Sequence, residues 1–216
     1  MKGDRILIND LHRKKAELIY NKINRNQDKL IICIGGSSGT GKSEQAHVLR
    51  DLCHENNKRV QIISLDNYYK IWENRNELRK KENFQNIGIQ EIDWGLINNI
   101  CKDFLKNKIV ATIQYNIYTK DLESIRWNGE NIDILIIEGL YANYIDHGNI
   151  KFHLEGDINQ TEEFRLVRNK EILNGDRQEV LKKEQKAIND LKKDTDYLIT
   201  FNGHIEEVRR TKDKLK

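Results

Sequence analysis

A glycine-rich stretch near the start of the chain has the spacing of a phosphate-binding loop. Residues 36–43 read G-S-S-G-T-G-K-S, which matches the Walker A pattern G-x-x-x-x-G-K-[ST]. Glycines let the backbone approach phosphates closely, and the N–H groups at a helix start attract negative charge. Lys42 would then reach the β- and γ-phosphates of ATP, and the Ser43 hydroxyl would bind Mg²⁺. The predicted ATP-binding residues are Gly36, Ser37, Ser38, Gly39, Thr40, Gly41, Lys42, Ser43 and Glu44.

A flexible Gly/Ser linker is the alternative interpretation of this stretch. The apolar run LIICI lies directly before it, as expected for a strand buried on both faces. The segment SEQAHVLRDLCHENN, which follows at once, has the spacing of an amphipathic helix. A strand before the loop and a helix after it favour phosphate binding over a linker.

Two acidic residues follow other predicted strands. Glu138 directly follows the apolar run of residues 132–137. Ligands of open parallel sheets bind at the carboxyl ends of strands, which is where Glu138 would lie. We therefore predict that Glu138 binds Mg²⁺ or its waters together with Ser43; an ordinary strand-end acid is the alternative. Asp66 follows residues 59–64 and is the candidate base for an acceptor hydroxyl, with a helix N-cap as its alternative role.

The order of predicted elements favours an α/β fold with a mainly parallel sheet flanked by helices. Strands are predicted at 29–34, 59–64, 108–113, 132–137, 150–156 and 196–201, and helices at 10–25, 43–57, 93–107, 160–173, 178–193 and 204–216. We expect one domain over residues 1–216, with an N-terminal helical extension at 1–29 and a helical, lid-like region at about 160–192.

Composition narrows the class of protein. The 216 residues carry 37 Lys and Arg against 34 Asp and Glu, a net charge of +3 that does not by itself indicate a nucleic-acid partner. No apolar run approaches the ~18 residues of a membrane helix, and the start of the chain lacks the apolar core of a signal peptide. The three cysteines form no C-x-x-C pair, as expected for buried thiols in the reducing cytoplasm.

Three motifs together resemble the uridine kinase and phosphoribulokinase branch of P-loop kinases. They are IGGSSGTGKS, ISLDNYYK and LIIEGLY, in this order and at these separations, and the resemblance extends over about residues 30–200. It implies a P-loop NTPase fold of the nucleoside and nucleotide kinase type. It also implies a Mg²⁺-dependent transfer of the γ-phosphate of ATP to a hydroxyl of a small molecule, with Asp66 as the catalytic base.

The resemblance also assigns residues on the acceptor side and in the lid. Tyr69 stands where the family has an aromatic residue near the acceptor, and EIDW makes Asp93 a binder of ribose hydroxyls. IQYNIYTK places Tyr115 beside the acceptor base. FRLVRNKE is similar to the family's arginine-bearing helix, so that Arg165 and Arg168 would contact the phosphates when a lid closes.

The same acceptor segment, IQYNIYTK, departs from the family pattern Y-D-F-x-[ST]-H. Asn116 replaces Asp, Ile117 replaces Phe, and Lys120 stands where a base-reading His is expected. The 5′-hydroxyl of uridine or cytidine is the first acceptor to consider. Pantothenate, nicotinamide riboside, a sugar phosphate or another hydroxyl substrate is the alternative, and a cationic Lys120 would suit a charged acceptor. A nucleotide-binding regulatory protein without transfer activity also stays open, as does assembly into a homo-oligomer.

Overall fold

Helices and strands alternate along the chain, as the sequence predicts for an α/β fold. The computed structural model describes residues 2–3, 5–23, 27–71, 75–167 and 175–208. The helices are α1 (Asp10–Tyr20), α2 (Lys42–Glu55), α3 (Arg75–Lys81), α4 (Trp94–Leu105), α5 (Glu162–Val167) and α6 (Gly175–Asp190). The strands are β1 (Leu30–Gly36), β2 (Val60–Ser64), β3 (Ile109–Tyr115), β4 (Leu122–Asn128), β5 (Ile134–Glu138), β6 (Ile150–Leu154), β7 (Tyr197–Ile199) and β8 (Ile205–Glu207).

The main sheet has the strand order β2-β5-β1-β6-β7-β8, and all neighbours except β7 and β8 are parallel. Every residue of β1 and β5 is buried, because apolar clusters cover both faces of the sheet. A strand that is buried on both faces reads as one continuous apolar run. The predicted fold class, with its mainly parallel sheet, is therefore confirmed.

The register of the sheet brings three carboxyl ends together. Glu138, the last residue of β5, pairs with Ser64 at the end of β2 on one side and with Ile34 of β1 on the other. The glycine-rich loop leaves β1 at this edge, and the turn with Asp66 leaves β2 there. Residues that are up to about a hundred positions apart in sequence are thus aligned by backbone pairing alone.

The structure adds to one strand prediction and corrects one helix prediction. The strand predicted at 108–113 is present as β3, but it lies outside the main sheet and pairs with β4 in a separate antiparallel hairpin. Ile109 is exposed and Val110 is buried, as expected at the start of a strand that has one face towards solvent.

The closing helix predicted at 204–216 is replaced at its start by β8, after a turn in which Gly203 has φ 78°. The Asn-Gly pair at 202–203 is typical of a hairpin turn, but the helix prediction was based on periodicity and did not use it. Residues 209–216 lie outside the described part.

The β3–β4 hairpin is fixed to the end of β2. The Ile113 amide donates to the Tyr68 hydroxyl at 3.3 Å, and the Tyr115 amide donates to the Asn67 Oδ1 at 3.0 Å. Tyr68 and Asn67 belong to the segment that carries Asp66. These contacts place the Tyr115 end of the hairpin beside Asp66.

The N-terminal segment, residues 2–3 and 5–12, extends from this hairpin to the phosphate loop. At one end, the Lys2 amide donates to the Tyr115 carbonyl at 2.9 Å, and the Lys2 ammonium pairs with Glu123 at 2.9 Å. At the other end the segment runs into α1, which packs against α2. The part of the chain that precedes the Walker A strand therefore contacts both sides of the edge where β1 and β2 end.

A buried ion network joins α3 to α6. Arg79 of α3 donates to both carboxylate oxygens of Glu91, at 2.7 and 2.8 Å, and to Glu184 of α6 at 3.3 Å. Arg177 contacts the other oxygen of Glu184 at 3.4 Å. We call these four residues the ion network. Arg79 and Glu184 are buried and Glu91 and Arg177 are partly buried, so these charges depend on one another for compensation.

Arg79→Met should lower the free energy of unfolding by about 3–5 kcal/mol, because it leaves Glu91 and Glu184 buried without their common partner. Urea unfolding followed by circular dichroism measures this difference. Lys80→Met is the matched control on the same helix, since Lys80 pairs with Asp176 at 2.6 Å on the exposed surface. That change should cost no more than about 1 kcal/mol. Equal losses for the two variants would contradict the network's role.

Candidate active site

The phosphate loop has the backbone geometry that its glycines allow. Gly36 has φ 138°, and a Cβ there would lie 2.3 Å from the Leu154 carbonyl oxygen, so no larger residue fits. Gly41, with φ 83°, ends the loop as the N-cap of α2. The loop thus turns directly into a 14-residue helix whose first N–H groups have no partner within that helix. This is the arrangement that binds phosphate groups.

The predicted phosphate-binding side chains lie over this loop. Lys42 is buried, and its ammonium donates to the Ser37 carbonyl at 2.7 Å. Thr40 donates its hydroxyl to the same carbonyl at 2.9 Å. The positive charge of Lys42 is therefore held against the loop backbone, close to where the loop amides converge.

Ser43 and Glu138 meet as the sequence predicts for a metal site. The Ser43 hydroxyl donates to the Glu138 carboxylate at 3.2 Å. Glu138 is only 5% exposed; its burial raises its pKa, as does the negative charge of Asp66, while a hydrogen bond from Ser64 and the charge of Lys42 oppose the shift. A buried carboxylate without full compensation, next to a hydroxyl, fits a divalent cation.

The described residues contain no group of three or more His, Cys, Asp or Glu side chains that could form a metal site by themselves. Mg²⁺ is usually held by one or two protein ligands together with waters and substrate phosphates, and Ser43 and Glu138 would be those ligands here.

Asp66 lies between the predicted metal ligand Glu138 and the predicted acceptor residue Tyr69. It is the middle residue of a short turn, Leu65–Asn67, that follows β2 directly, so it is not at an N-cap position. Burial raises the pKa of both Glu138 and Tyr69, and the negative charge of Asp66 raises each of them further. A carboxylate at this point could reach the hydroxyl of a substrate that binds next to the phosphate loop.

The other predicted acceptor residues differ in how the structure places them. Tyr69 is buried beside Asp66 and forms a β-bridge with Ile92. Asp93 follows that bridge, and its Oδ1 caps α4 by accepting from the Leu96 amide at 3.1 Å. Tyr115 lies at the end of β3 next to the Asp66 turn, whereas Lys120 is exposed in the turn of the hairpin with φ 61°.

Arg165 lies against the phosphate loop. Its guanidinium donates to the Ile158 carbonyl at 2.7 Å and to the Thr161 hydroxyl, and its side chain is buried. A Cβ on Gly39 would lie 2.9 Å from the Thr161 carbonyl, which shows how closely this turn approaches the loop. Arg168, the second predicted lid arginine, lies outside the described residues.

A small pocket lies between the phosphate loop, Arg165 and α6. The Ser37 hydroxyl donates to the Gln185 side chain of α6 at 2.8 Å across this pocket. Glu44, predicted to bind ATP, is also buried, and it accepts from the Leu7 amide at 3.4 Å. In this structure Glu44 therefore faces the N-terminal segment.

The N-terminal segment also contacts the loop itself. The His12 ring packs on Gly41: a Cβ there would lie 2.6 Å from the His12 Nε2. His12 is held by a capping box in which its Nδ1 accepts from the Asn9 amide at 3.1 Å and its own amide donates to Asn9 at 3.0 Å. Sequence reasoning assigned no role to this helix, and His12 carried no motif that could have indicated one.

Sequence reasoning predicted Tyr69 but missed three side chains near it, Arg75, Tyr141 and Glu184; we call these four residues the acceptor-side cluster. The guanidinium carbon of Arg75 lies 3.8 Å from the centre of the Tyr69 ring, a cation–π contact. Tyr141 is fully buried; burial, followed by the charge of Glu184, raises its pKa. Tyr141 directly follows the E-G-L of the third motif, and this was its one signal in the sequence.

Comparisons with known proteins agree with this architecture. Residues 31–171 match the model of the "Phosphoribulokinase / Uridine kinase family". A uridine kinase from Mycoplasma genitalium is 30% identical over 142 residues, which cover 64% of this chain and 64% of that protein. The chain thus matches just under two thirds of the length of that relative.

Two solved structures share the fold. A phosphoribulokinase from Rhodobacter spheroides superposes with a TM-score of 0.60 at 12% identity, covering 80% of this chain and 70% of that one. A D-glycerate 3-kinase from Cryptococcus neoformans gives 0.55 at 13% identity, covering 91% and 96%. At these identities the likeness shows the fold alone. Since the family model covers well over half of the residues, the chain belongs to the phosphoribulokinase and uridine kinase family.

Proposed function

We propose that this protein transfers the γ-phosphate of Mg·ATP to a hydroxyl of a small molecule. The observation that carries the proposal is the meeting of three groups at one edge of the sheet: the phosphate loop, Glu138 and Asp66. Phosphoryl transfer requires this combination of an anion cradle, a metal ligand and a base. Membership of a family of kinases supports it.

Each group has a distinct role in the proposed reaction. The loop amides and Lys42 would bind the β- and γ-phosphates and stabilise the charge that builds up on them. Ser43 and Glu138 would hold Mg²⁺, which supplies further neutralisation of the phosphates when bound. Asp66 would orient the acceptor hydroxyl and accept its proton. Arg165, already against the loop, would add positive charge near the transferred group.

The 5′-hydroxyl of uridine or cytidine is the first acceptor that we propose. The curated relatives are uridine kinases, which supports a nucleoside. Another hydroxyl acceptor is the second candidate, because Asn116, Ile117 and Lys120 depart from the nucleoside-type segment and fall on the acceptor side. A regulatory protein that binds nucleotide without transfer is disfavoured by the presence of Asp66 and Glu138 beside an intact loop.

The lid-like role of residues 160–192 is likewise a proposal. Part of this region, with Arg165 and Gln185, already contacts the phosphate loop. Closure over bound ATP would exclude water from the site, which strengthens the electrostatic contacts within it.

Asp66→Asn should lower turnover by about 10²-fold or more while ATP still binds, which is the usual scale for loss of a general base. Coupled ADP release with Mg·ATP, run over uridine, cytidine, pantothenate, nicotinamide riboside and sugar phosphates, measures turnover. Fluorescent-nucleotide titration measures ATP binding. Asp51→Asn, the same change on the exposed side of α2, should affect neither.

Lys42→Ala should lose both turnover and ATP affinity, so that the two variants separate binding from chemistry. Near-normal turnover of Asp66→Asn would remove Asp66 as the base. ATP binding without consumption over the whole set of acceptors would favour the regulatory alternative.

Glu138→Gln should raise the melting temperature at pH 8 while it weakens Mg²⁺-dependent ATP binding. Burial raises the folded-state pKa of Glu138 above that of the unfolded chain, so folding favours the protonated form. The cost of the charge is absent below the unfolded pKa of about 4.3 and complete above the raised folded-state pKa. The advantage of Gln should therefore disappear as the pH is lowered towards 4.

Glu123→Gln is the control with the opposite sign. Hydrogen bonds from Asn116 and Lys2 lower the pKa of Glu123, so its carboxylate stabilises the folded state above its ordinary pKa. This variant should melt slightly lower at pH 8 and equal the parent in acid. A lower melting temperature for Glu138→Gln at pH 8 would show that the Glu138 carboxylate is already satisfied by the protein.

A further inference from the structure

Two hydrogen-bond donors of the acceptor-side cluster are buried without a partner. Within the described residues, neither the Tyr141 hydroxyl nor the Nη1 of Arg75 has a hydrogen-bond partner, and both atoms are excluded from solvent. A buried donor that is left unpaired costs stability, so native proteins rarely keep one without a reason. Two of them in one cluster indicate a group that the ligand supplies.

Both donors are joined by contacts to the segment that carries Asp66. The guanidinium carbon of Arg75 lies 3.8 Å from the centre of the Tyr69 ring, and Tyr69 follows Asp66 by three residues. Tyr141, which follows Glu138 by three residues, packs in the same buried cluster as Tyr69. The two donors are therefore connected through Tyr69 to the surroundings of the proposed base.

The two carboxylates of the ion network, Glu91 and Glu184, already have other hydrogen-bond partners. Glu91 accepts both of its short bonds from Arg79, and Glu184 accepts from Arg79 and Arg177. Three guanidinium groups thus face two carboxylates, and across the described part of the chain both acids are bonded to the other two arginines rather than to Arg75. Among the described residues, the Nη1 of Arg75 and the Tyr141 hydroxyl are therefore left without an acceptor.

We propose that Arg75 and Tyr141 bind the phosphoryl acceptor by donating hydrogen bonds to its oxygen atoms, at a position remote from the hydroxyl that reacts. A guanidinium only donates and a phenol donates through its O–H, so a substrate that satisfies both donors presents oxygen lone pairs there, as a carbonyl, a carboxylate or a phosphate does. This inference rests on the proposed transfer reaction and adds specificity residues to the same site. An acceptor with an aliphatic end would leave both donors unpaired and would be rejected.

Tyr141→Phe and Arg75→Met test the inference. Each should raise the KM of the acceptor at least about tenfold, the scale of one lost hydrogen bond, while the KM of ATP is unchanged. Tyr141→Phe should also melt no lower than the parent, because it removes an unpaired buried hydroxyl. Tyr144→Phe, three residues along the chain, and Arg13→Met, on the exposed side of α1, are the matched controls and should change none of these values.

The assay uses uridine, D-glycerate and ribulose 5-phosphate, which carry carbonyl, carboxylate and phosphate oxygens. If uridine is phosphorylated and both variants raise its KM, the result supports both the inference and the proposal of a nucleoside acceptor. If one of the other two is phosphorylated and both variants raise its KM, the nucleoside proposal fails and the inference stands. The acceptor that is used identifies the type of oxygen group that the two donors bind.

Three results would overturn the inference. One is an acceptor that is phosphorylated with an unchanged KM by both variants, which would leave the proposed function intact. Another is a clear fall in the melting temperature of Tyr141→Phe, which would show that the hydroxyl has a structural partner. The third is the absence of turnover with every acceptor despite tight ATP binding, in which case the inference falls together with the transfer reaction.

Discussion

Parallel pairing of β2, β5 and β1 is the constraint on which the site depends. It places the ends of three strands at one edge, with Ser64, Glu138 and Ile34 in a single row. Each strand then continues into a different functional segment, so a shift of register in one strand would misplace its segment relative to the others. Since the strands are buried on both faces, such a shift would also disturb the core, and the packing of the core therefore protects the geometry of the site.

Several buried charged and polar groups that are incompletely compensated lie close together in the site. Glu138 is a buried acid beside Asp66, and the acceptor-side cluster adds a buried phenol and a guanidinium with unmet donors. The ion network next to it keeps α3 and α6 in contact while its own charges are compensated. One part of this polar region thus supports the fold, and the other part keeps two buried donors without a partner among the described residues. Such unpaired donors lower the stability of the folded state, a cost that the proposed binding of ligands would explain.

The parts of the site that could be predicted from sequence are those that are local in the chain. Residues 36–43 form a continuous motif, and Glu138 and Asp66 follow recognisable apolar strands. Arg75 and Tyr141 could not be found in this way, because their importance lies in burial and missing partners. The bond between Arg79 and Glu184 joins residues 105 positions apart, and no periodicity shows such a pair. The pairing of β3 with β4 could not be predicted, because a short apolar run looks the same in either kind of sheet.

The N-terminal segment has a consequence for the order of folding. The ion pair of Lys2 with Glu123 spans 121 positions, so its formation closes one of the longest loops in the chain. A contact between residues so far apart in sequence costs the entropy of closing the loop before it contributes any stability. The backbone of the phosphate loop, by contrast, is formed by neighbours in sequence. The loop itself can therefore form early, whereas the contact between the N-terminal segment and the hairpin forms only when residues 121 positions apart meet.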